Sequence, residues 1–253
     1  MVTNPLILHE GDSARLVELR RDVVDAVTAA AVVQVSPTDR PGWWELTPGS
    51  QIGVVTVAGL QVVIEPKIDI SRLVFLMGYA RRPDFWCDNW AQLDADADLP
   101  EALADAFVRL AKRALEQGLL KGYVTVDETS AVLRGRVREA DQLRRRWGRS
   151  IPLEVRYDEF TVDIAENQVL LAAVKQLLRT PGVGVRHRTG LQRLRLQLAD
   201  VTAPGRDGAR PSWVASRLNA RYVPALELAE LVLAGRSFEQ RVGDLLVSGY
   251  LFN

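Results

Sequence analysis

The sequence predicts an α+β protein: a small amino-terminal β-sheet or partial barrel with helices, followed by a helical domain that bears a long β-hairpin. Three observations carry this reading. Short β-like runs broken by Pro and Gly crowd into residues 32–65. Apolar positions recur at spacings of three and four over much of residues 100–234, the period of helices with one buried face. A second β-like region, 123–157, interrupts that helical half. The expected division is an amino-terminal α+β module, 1–95, and a helical domain, 96–253, with the hairpin inserted at about 123–157.

Residues 13–29 place Leu16, Leu19, Val23 and Val27 at helical spacings, with Asp12 or Ser13 as N-cap, and predict an amphipathic helix. Four strands are expected next, at Val32–Val35, Trp43–Leu46, Ile52–Val57 and Leu60–Glu65, punctuated by Pro37, Pro41–Gly42, Pro48–Gly49 and Ala58–Gly59. Arg72–Ala80 predicts a short buried helix, and residues 81–98, with Pro83 and Asp94, Asp96 and Asp98, a linker. Helix Pro100–Gln117 has Pro in its first turn, Leu103, Phe107, Leu110 and Ala114 on one face, and Gly118 as its stop. Strands follow at Val124–Val126, Val132–Val137 and Ile151–Val155, the last two separated by the polar stretch Arg138–Ser150. Asp163 is placed to cap a helix that runs through Arg179, with Glu166 completing a capping box. Helices Thr189–Asp200 and Pro224–Ala234 complete the pattern, and Thr202–Ser212 between them is an exposed loop.

Composition excludes several classes. Lys and Arg number 32, against 32 Asp and Glu, so the chain is not one that coats nucleic acid by bulk positive charge. No apolar run reaches the ~20 residues of a membrane helix, and the amino terminus lacks a basic region followed by an apolar one, so neither a membrane span nor a secretory signal is expected. Cys87 stands alone, which fits a reducing cytoplasm, and two His with one Cys cannot build the usual His/Cys zinc site. There is no phosphate-binding G-x-x-x-x-G-K-[ST] loop, so the chain is not itself a P-loop NTPase.

Three groupings offer chemistry. Glu65-Pro66-Lys67, at the end of an apolar strand with Asp39 upstream, has the residue types with which PD-(D/E)xK nucleases hold a divalent metal and stabilise charge at a phosphate. The Pro is out of place in such a strand, and the plain alternative is a solvated salt-bridging pair. Arg134, Arg136, Arg138, Arg144, Arg145, Arg146 and Arg149 crowd into Leu133–Ser150 against only Glu139 and Asp141, a local charge of +5 beside Trp147 and Gly148. Such a tip is able to hold phosphates bidentately or to reach a partner's nucleotide site; the alternative is a solvated hairpin end. Asp158, Glu159, Asp163 and Glu166 in Tyr157–Asn167 read as a helix cap rather than a metal cluster. His9 and His187 lie apart from one another and from any nucleophile.

The order of several motifs resembles the McrC family over most of the chain. VVTVAGLQVVIEPKIDISRLVFLMGYA (Val54–Ala80) is similar to that family's early region. GLLKGYV, LRGRV (Leu133–Val137) and YDEFTVDIAENQVLLAAVKQLL then follow in the family's order between Gly118 and Leu178. LAELVLAGRSFEQRVGDLLVSGYLFN resembles the segment before its nuclease domain. The resemblance implies a partner, an McrB-like AAA+ GTPase hexamer of a 5-methylcytosine restriction system, with GTP and Mg bound by that partner and no cofactor held by this chain. It implies that the hairpin enters the ring and stimulates hydrolysis, with Arg144, Arg145, Arg146 and Arg149 at the tip and Arg134 and Arg136 on the family-like strand. It assigns Glu65-Pro66-Lys67 to the amino-terminal module rather than to catalysis. No D…(D/E)xK pattern of the family's nuclease domain follows within residues 1–253, so an activator without cleavage chemistry of its own is expected, meeting DNA indirectly through the complex. The rival expectation is a module that binds or cuts the duplex directly, with Trp43, Trp44 and Lys67 on DNA and the Arg tip on its backbone.

Overall fold

The computed structural model describes residues 5–67, 99–204, 211–242 and 244–252; the expected helix Arg72–Ala80 and the 81–98 linker lie outside them. The architecture is α+β. The described strands are β1 (Leu6–His9), β2 (Arg15–Glu18), β3 (Val33–Pro37), β4 (Trp43–Pro48), β5 (Ile52–Val57), β6 (Leu60–Glu65), β7 (Gly122–Ser130), β8 (Arg136–Val137), β9 (Leu153–Thr161), β10 (Arg236–Val242) and β11 (Leu245–Phe252). The described helices are α1 (Arg21–Ala29), α2 (Leu99–Leu115), α3 (Glu139–Arg145), α4 (Ala165–Arg179), α5 (Val185–Gln197) and α6 (Val223–Ala234).

A five-stranded sheet, ordered β1-β6-β5-β11-β10, draws its strands from both ends of the chain. β1 runs parallel to β6, and the other pairings are antiparallel. Both faces are covered, so the strands read as apolar runs rather than as apolar–polar alternation. Successive side chains point to opposite faces. Val55, Val57, Val62, Ile64, Val247 and Leu251 meet Val23, Val27 and Leu46, from α1 and the three-stranded sheet β2-β4-β3. Val54, Val63 and Tyr250 point the other way, into the core of α2, α4, α5 and α6. Gly53, at φ +139°, lets β5 approach β11: a Cβ there would overlap the Tyr250 carbonyl oxygen.

The helical core is built from Leu103, Phe107 and Ala114 of α2, Leu170, Val174 and Leu177 of α4, Leu191 and Leu194 of α5, and Leu226, Ala229 and Val232 of α6. α2 places its buried residues on one stripe, as its sequence period requires. At the far end of α6 the Tyr250 hydroxyl donates to the Val232 carbonyl at 2.7 Å, tying helix to sheet.

Several expectations need correction. Residues 13–29 do not form one helix: Arg15–Glu18 is strand β2, paired with β4, and the helix starts at Arg21. The nominal apolar stripe is false at its start, since Leu16 is 56% exposed. The strand expected at Val132–Val137 shrinks to Arg136–Val137, and the Arg-dense stretch after it forms α3. The capping box is absent: Ile164 occupies the N-cap of α4 without a side-chain bond. α5 starts four residues before Thr189 and ends at Gln197.

Candidate functional site

β7 and β9 form a two-stranded antiparallel ribbon, in register from Gly122↔Thr161 to Ser130↔Leu153. At ~3.3 Å per residue its nine pairs span about 27 Å. No helix or strand outside the hairpin packs along it among the described residues. Tyr123 and Phe160, directly opposite in the ladder, lie ring to ring at 5.1 Å on its surface.

Residues 131–152 cap the far end as a folded knob rather than an open loop. Gly135, at φ +62°, turns the chain so that β8 lies on β9, in register at Arg136↔Arg156 and Val137↔Val155. α3 follows, with none of its residues buried. Gln142 knits the knob together: its Oε1 accepts from the Glu154 amide at 2.7 Å, and its Nε2 donates to the carbonyls of Arg149 and Pro152.

Much of the positive charge is answered inside the knob. Arg156 donates to both carboxylate oxygens of Asp127, at 2.5 and 2.6 Å. That hydrogen bonding holds the Asp127 carboxyl below its ordinary range, with Arg138 and Arg136 adding to it, and raises the Arg156 guanidinium in return. Arg138 pairs with Asp141 and Asp127, and Arg144 with Asp141 at 2.9 Å. Glu154, whose side chain is 2% exposed, receives Arg145 at 3.6 Å, Arg146 at 3.5 Å and the Thr129 hydroxyl at 3.1 Å. Nearby, the Tyr157 hydroxyl donates to Glu128 at 2.9 Å, and this bond raises the phenol above its usual range.

Of the expected tip arginines, therefore, Arg144, Arg145 and Arg146 stand in ion pairs within the hairpin. Arg149, Arg134 and Arg136 are exposed and form no ion pair among the described residues. The knob also exposes apolar side chains that a hairpin end has no internal use for: Val132, Leu133, Leu143, Trp147 and Ile151, with Trp147 at 83%. Asp127, Gln142, Glu154 and Arg156 were not singled out from the sequence, although a Glu inside the otherwise apolar start of β9 is a signal that a cation awaits it.

The other groupings are dispersed. Glu65 Oε2 lies 3.5 Å from His9 Nδ1 at the β1–β6 edge and Lys67 reaches over Gly11, so the two side chains are engaged separately. Asp39 sits by the β3–β4 turn, in the other sheet. Among the described residues no group of three or more His, Cys, Asp and Glu gathers to hold a metal ion. Trp44 donates its indole N–H to the Leu19 carbonyl at 3.2 Å, and Trp43 lies 4.6 Å beneath the Arg40 guanidinium. Both are thus engaged within the small sheet. His187 lies 3.5 Å from Glu101 and 3.6 Å from Asp105, a contact between α5 and α2. No described helix is long and apolar enough to cross a membrane.

The family model described as McrBC 5-methylcytosine restriction system component matches residues 46–253. The chain belongs to the McrBC family. A chain of the Thermococcus gammatolerans McrBC complex superposes on this McrBC-family fold with a TM-score of 0.53, at 18% identity, over 98% of this chain and 82% of that one. A second match, to a half-complex from a tetradecameric assembly of Thermococcus gammatolerans McrB AAA+ hexamers with bound McrC, has a TM-score of 0.55 at 17% identity, covering 99% and 67%. None of the curated proteins matches this McrBC-family chain.

Proposed function

We propose that this chain is the McrC-like subunit of a modification-dependent restriction system. It binds an McrB-like AAA+ GTPase hexamer through the β7–β9 hairpin and stimulates GTP hydrolysis, which the assembly couples to DNA cleavage. GTP and Mg reside on the partner. One observation carries the reading: a shaft that no other described helix or strand packs along ends in a knob that combines guanidinium groups outside any described ion pair with exposed Trp147, Leu133 and Leu143. Leaving that apolar surface in water is unfavourable unless a partner covers it. Family membership and the likeness to chains of McrBC assemblies support the choice of partner.

An arginine delivered in trans neutralises charge on the transferring phosphoryl group or orients the attacking water, and such fingers raise rates by ~10³–10⁵. Arg149 is the preferred candidate, with Arg134 and Arg136 next, because their guanidinium groups are not committed to a carboxylate. Arg144, Arg145 and Arg146 shape the knob that presents them.

The test is GTP turnover by the McrB-like partner with the chain added. Arg149→Ala should lower the stimulated rate at least tenfold, the loss expected when a charge-stabilising group is removed. Arg145→Ala should act mainly through the fold of the knob. If replacing Arg134, Arg136, Arg144, Arg145, Arg146 and Arg149 together leaves stimulation intact, the hairpin is not the stimulating element.

A further inference from the structure

No other described helix or strand packs along the hairpin, but buried side chains of the helical core fasten its root. The Asn167 side chain, fully buried in the first turn of α4, donates from one amide nitrogen to the Leu120 carbonyl at 2.8 Å and the Val162 carbonyl at 2.7 Å. Leu120 precedes β7 and Val162 follows β9, so one side chain bridges the two chain segments that enter and leave the shaft. The hydroxyl of Tyr222, also fully buried at the N-cap of α6, accepts from the Leu120 amide at 2.8 Å. Arg221 donates to Gln117 Oε1 at 2.8 Å and the Gly118 carbonyl at 3.0 Å. On the exit side, Asp163 Oδ1 accepts from Gln168 Nε2 and from the Thr202 amide.

These contacts set the angle at which the shaft leaves the body. A small change at the root is magnified at the tip, since the shaft extends about 27 Å beyond it. A knob that is misplaced by an ångström no longer puts an arginine on a reacting phosphoryl group, and errors of that size cost about 10²-fold in other enzymes. Among the described residues no other helix or strand packs along the shaft, so the contacts at the root are the ones that hold it.

We infer that Asn167 and Tyr222 are positioning residues for GTPase stimulation, a clamp that fixes the hairpin's exit direction from α4 and α6. This rests on the ring-binding reading above. The clamp acts on rate rather than on docking: the knob's exposed surface is unchanged when the root loosens, so the ring still binds it.

The experiment uses Asn167→Leu, which keeps the size of the side chain but removes both donated hydrogen bonds, and Tyr222→Phe, which removes only the hydroxyl. Leu194→Ala, on the buried face of α5 and making none of the hydrogen bonds of the root, serves as a variant with comparable or greater loss of stability. Each chain is titrated against the McrB-like GTPase, reading the plateau rate and the half-saturating concentration, and amide exchange at Leu120 is followed in the free chain. The expected result is a plateau lowered about tenfold or more by either clamp variant, half-saturation within about twofold of the parent, and faster exchange at Leu120, while Leu194→Ala keeps its plateau. A plateau that falls in all three variants in step with melting temperature makes the clamp merely structural and overturns the proposal. So does an unchanged plateau in both clamp variants when exchange at Leu120 has risen. If the parent chain itself fails to raise GTP turnover, the ring-binding reading fails first, and the exchange data still report whether the root was loosened.

Discussion

Replacing Gly135 by Ala tests how the knob is built. Gly135 sits at φ +62°, where an L-residue costs about 1–2 kcal/mol. A Cβ there would overlap the Arg156 carbonyl oxygen and lie 2.8 Å from Tyr157 Cβ. The first of these is backbone, which no rotamer change relieves, and such overpacking costs about 1–3 kcal/mol more. Against a total of about 2–5 kcal/mol stands the β8–β9 bridge. It comprises two residue pairs and the Arg138 amide donating to the Glu154 carbonyl at 2.7 Å. At about 0.5–1.5 kcal/mol per hydrogen bond, that bridge is no stronger than the strain. The expected outcome is local: β8 lifts from β9, the Arg138 amide, which donates to the Glu154 carbonyl, loses protection from hydrogen exchange, and GTPase stimulation falls. The melting temperature should stay within a degree or two of the parent, because the knob contributes nothing to either buried core. Retained protection at Arg138 would refute the steric argument. A collapse of melting temperature would refute the claim that the knob is energetically separate from the body.

Two further outcomes follow from the structure. Gly53→Ala forces a Cβ against the Tyr250 carbonyl at the β5–β11 pairing, inside the body, and should cost roughly 2–5 kcal/mol, read as a melting temperature lower by roughly 5–15 °C; a shift under about 2 °C would show that the two strands separate easily there. Asp163 titrates below its ordinary value of 3.8: burial opposes this, but hydrogen bonds from Thr202 and Gln168 prevail. A depressed carboxylate contributes stability that is complete above its unfolded value and lost as pH falls through the folded one, so the Thr202 amide should stay protected from neutral pH to about 4 and open only below that; opening already at pH 5–6 would contradict the assignment.

What was legible in the sequence divides along the range of the interactions involved. α2 and α6 declare themselves through local period and punctuation, and β5 and β6 through short apolar runs bounded by Gly. Residues 15–18 did not, because over four residues an alternating pattern and a helical stripe place nearly the same side chains in register; pairing with β4, remote in sequence, decides the matter. β10 and β11 were missed for a related reason: an apolar run with an internal Gly249 is strand or helix until a partner strand is known, and here the partner is β5. The knob shows the same limit in electrostatics. Counting Glu139 and Asp141 against the arginines gave a strongly positive loop, but the ribbon brings in Asp127, Glu128 and Glu154 from its two arms, and these pair across separations of up to 29 residues. The capping box at Asp163 failed because the carboxylate found better donors in Gln168 and Thr202.

The five-stranded sheet sets the order in which the protein can be assembled during its own synthesis. β1, β5 and β6 emerge early, but β11 is specified by residues 245–252, so the central β5 is left as an open edge while nearly two hundred residues are being made. An unpaired apolar edge is a template for the wrong partner. Val247 and Leu251 also arrive last to a core that Val55, Val57, Val62 and Ile64 have had to leave partly uncovered. The nascent chain is therefore vulnerable to aggregation and to chaperone capture until β11 appears.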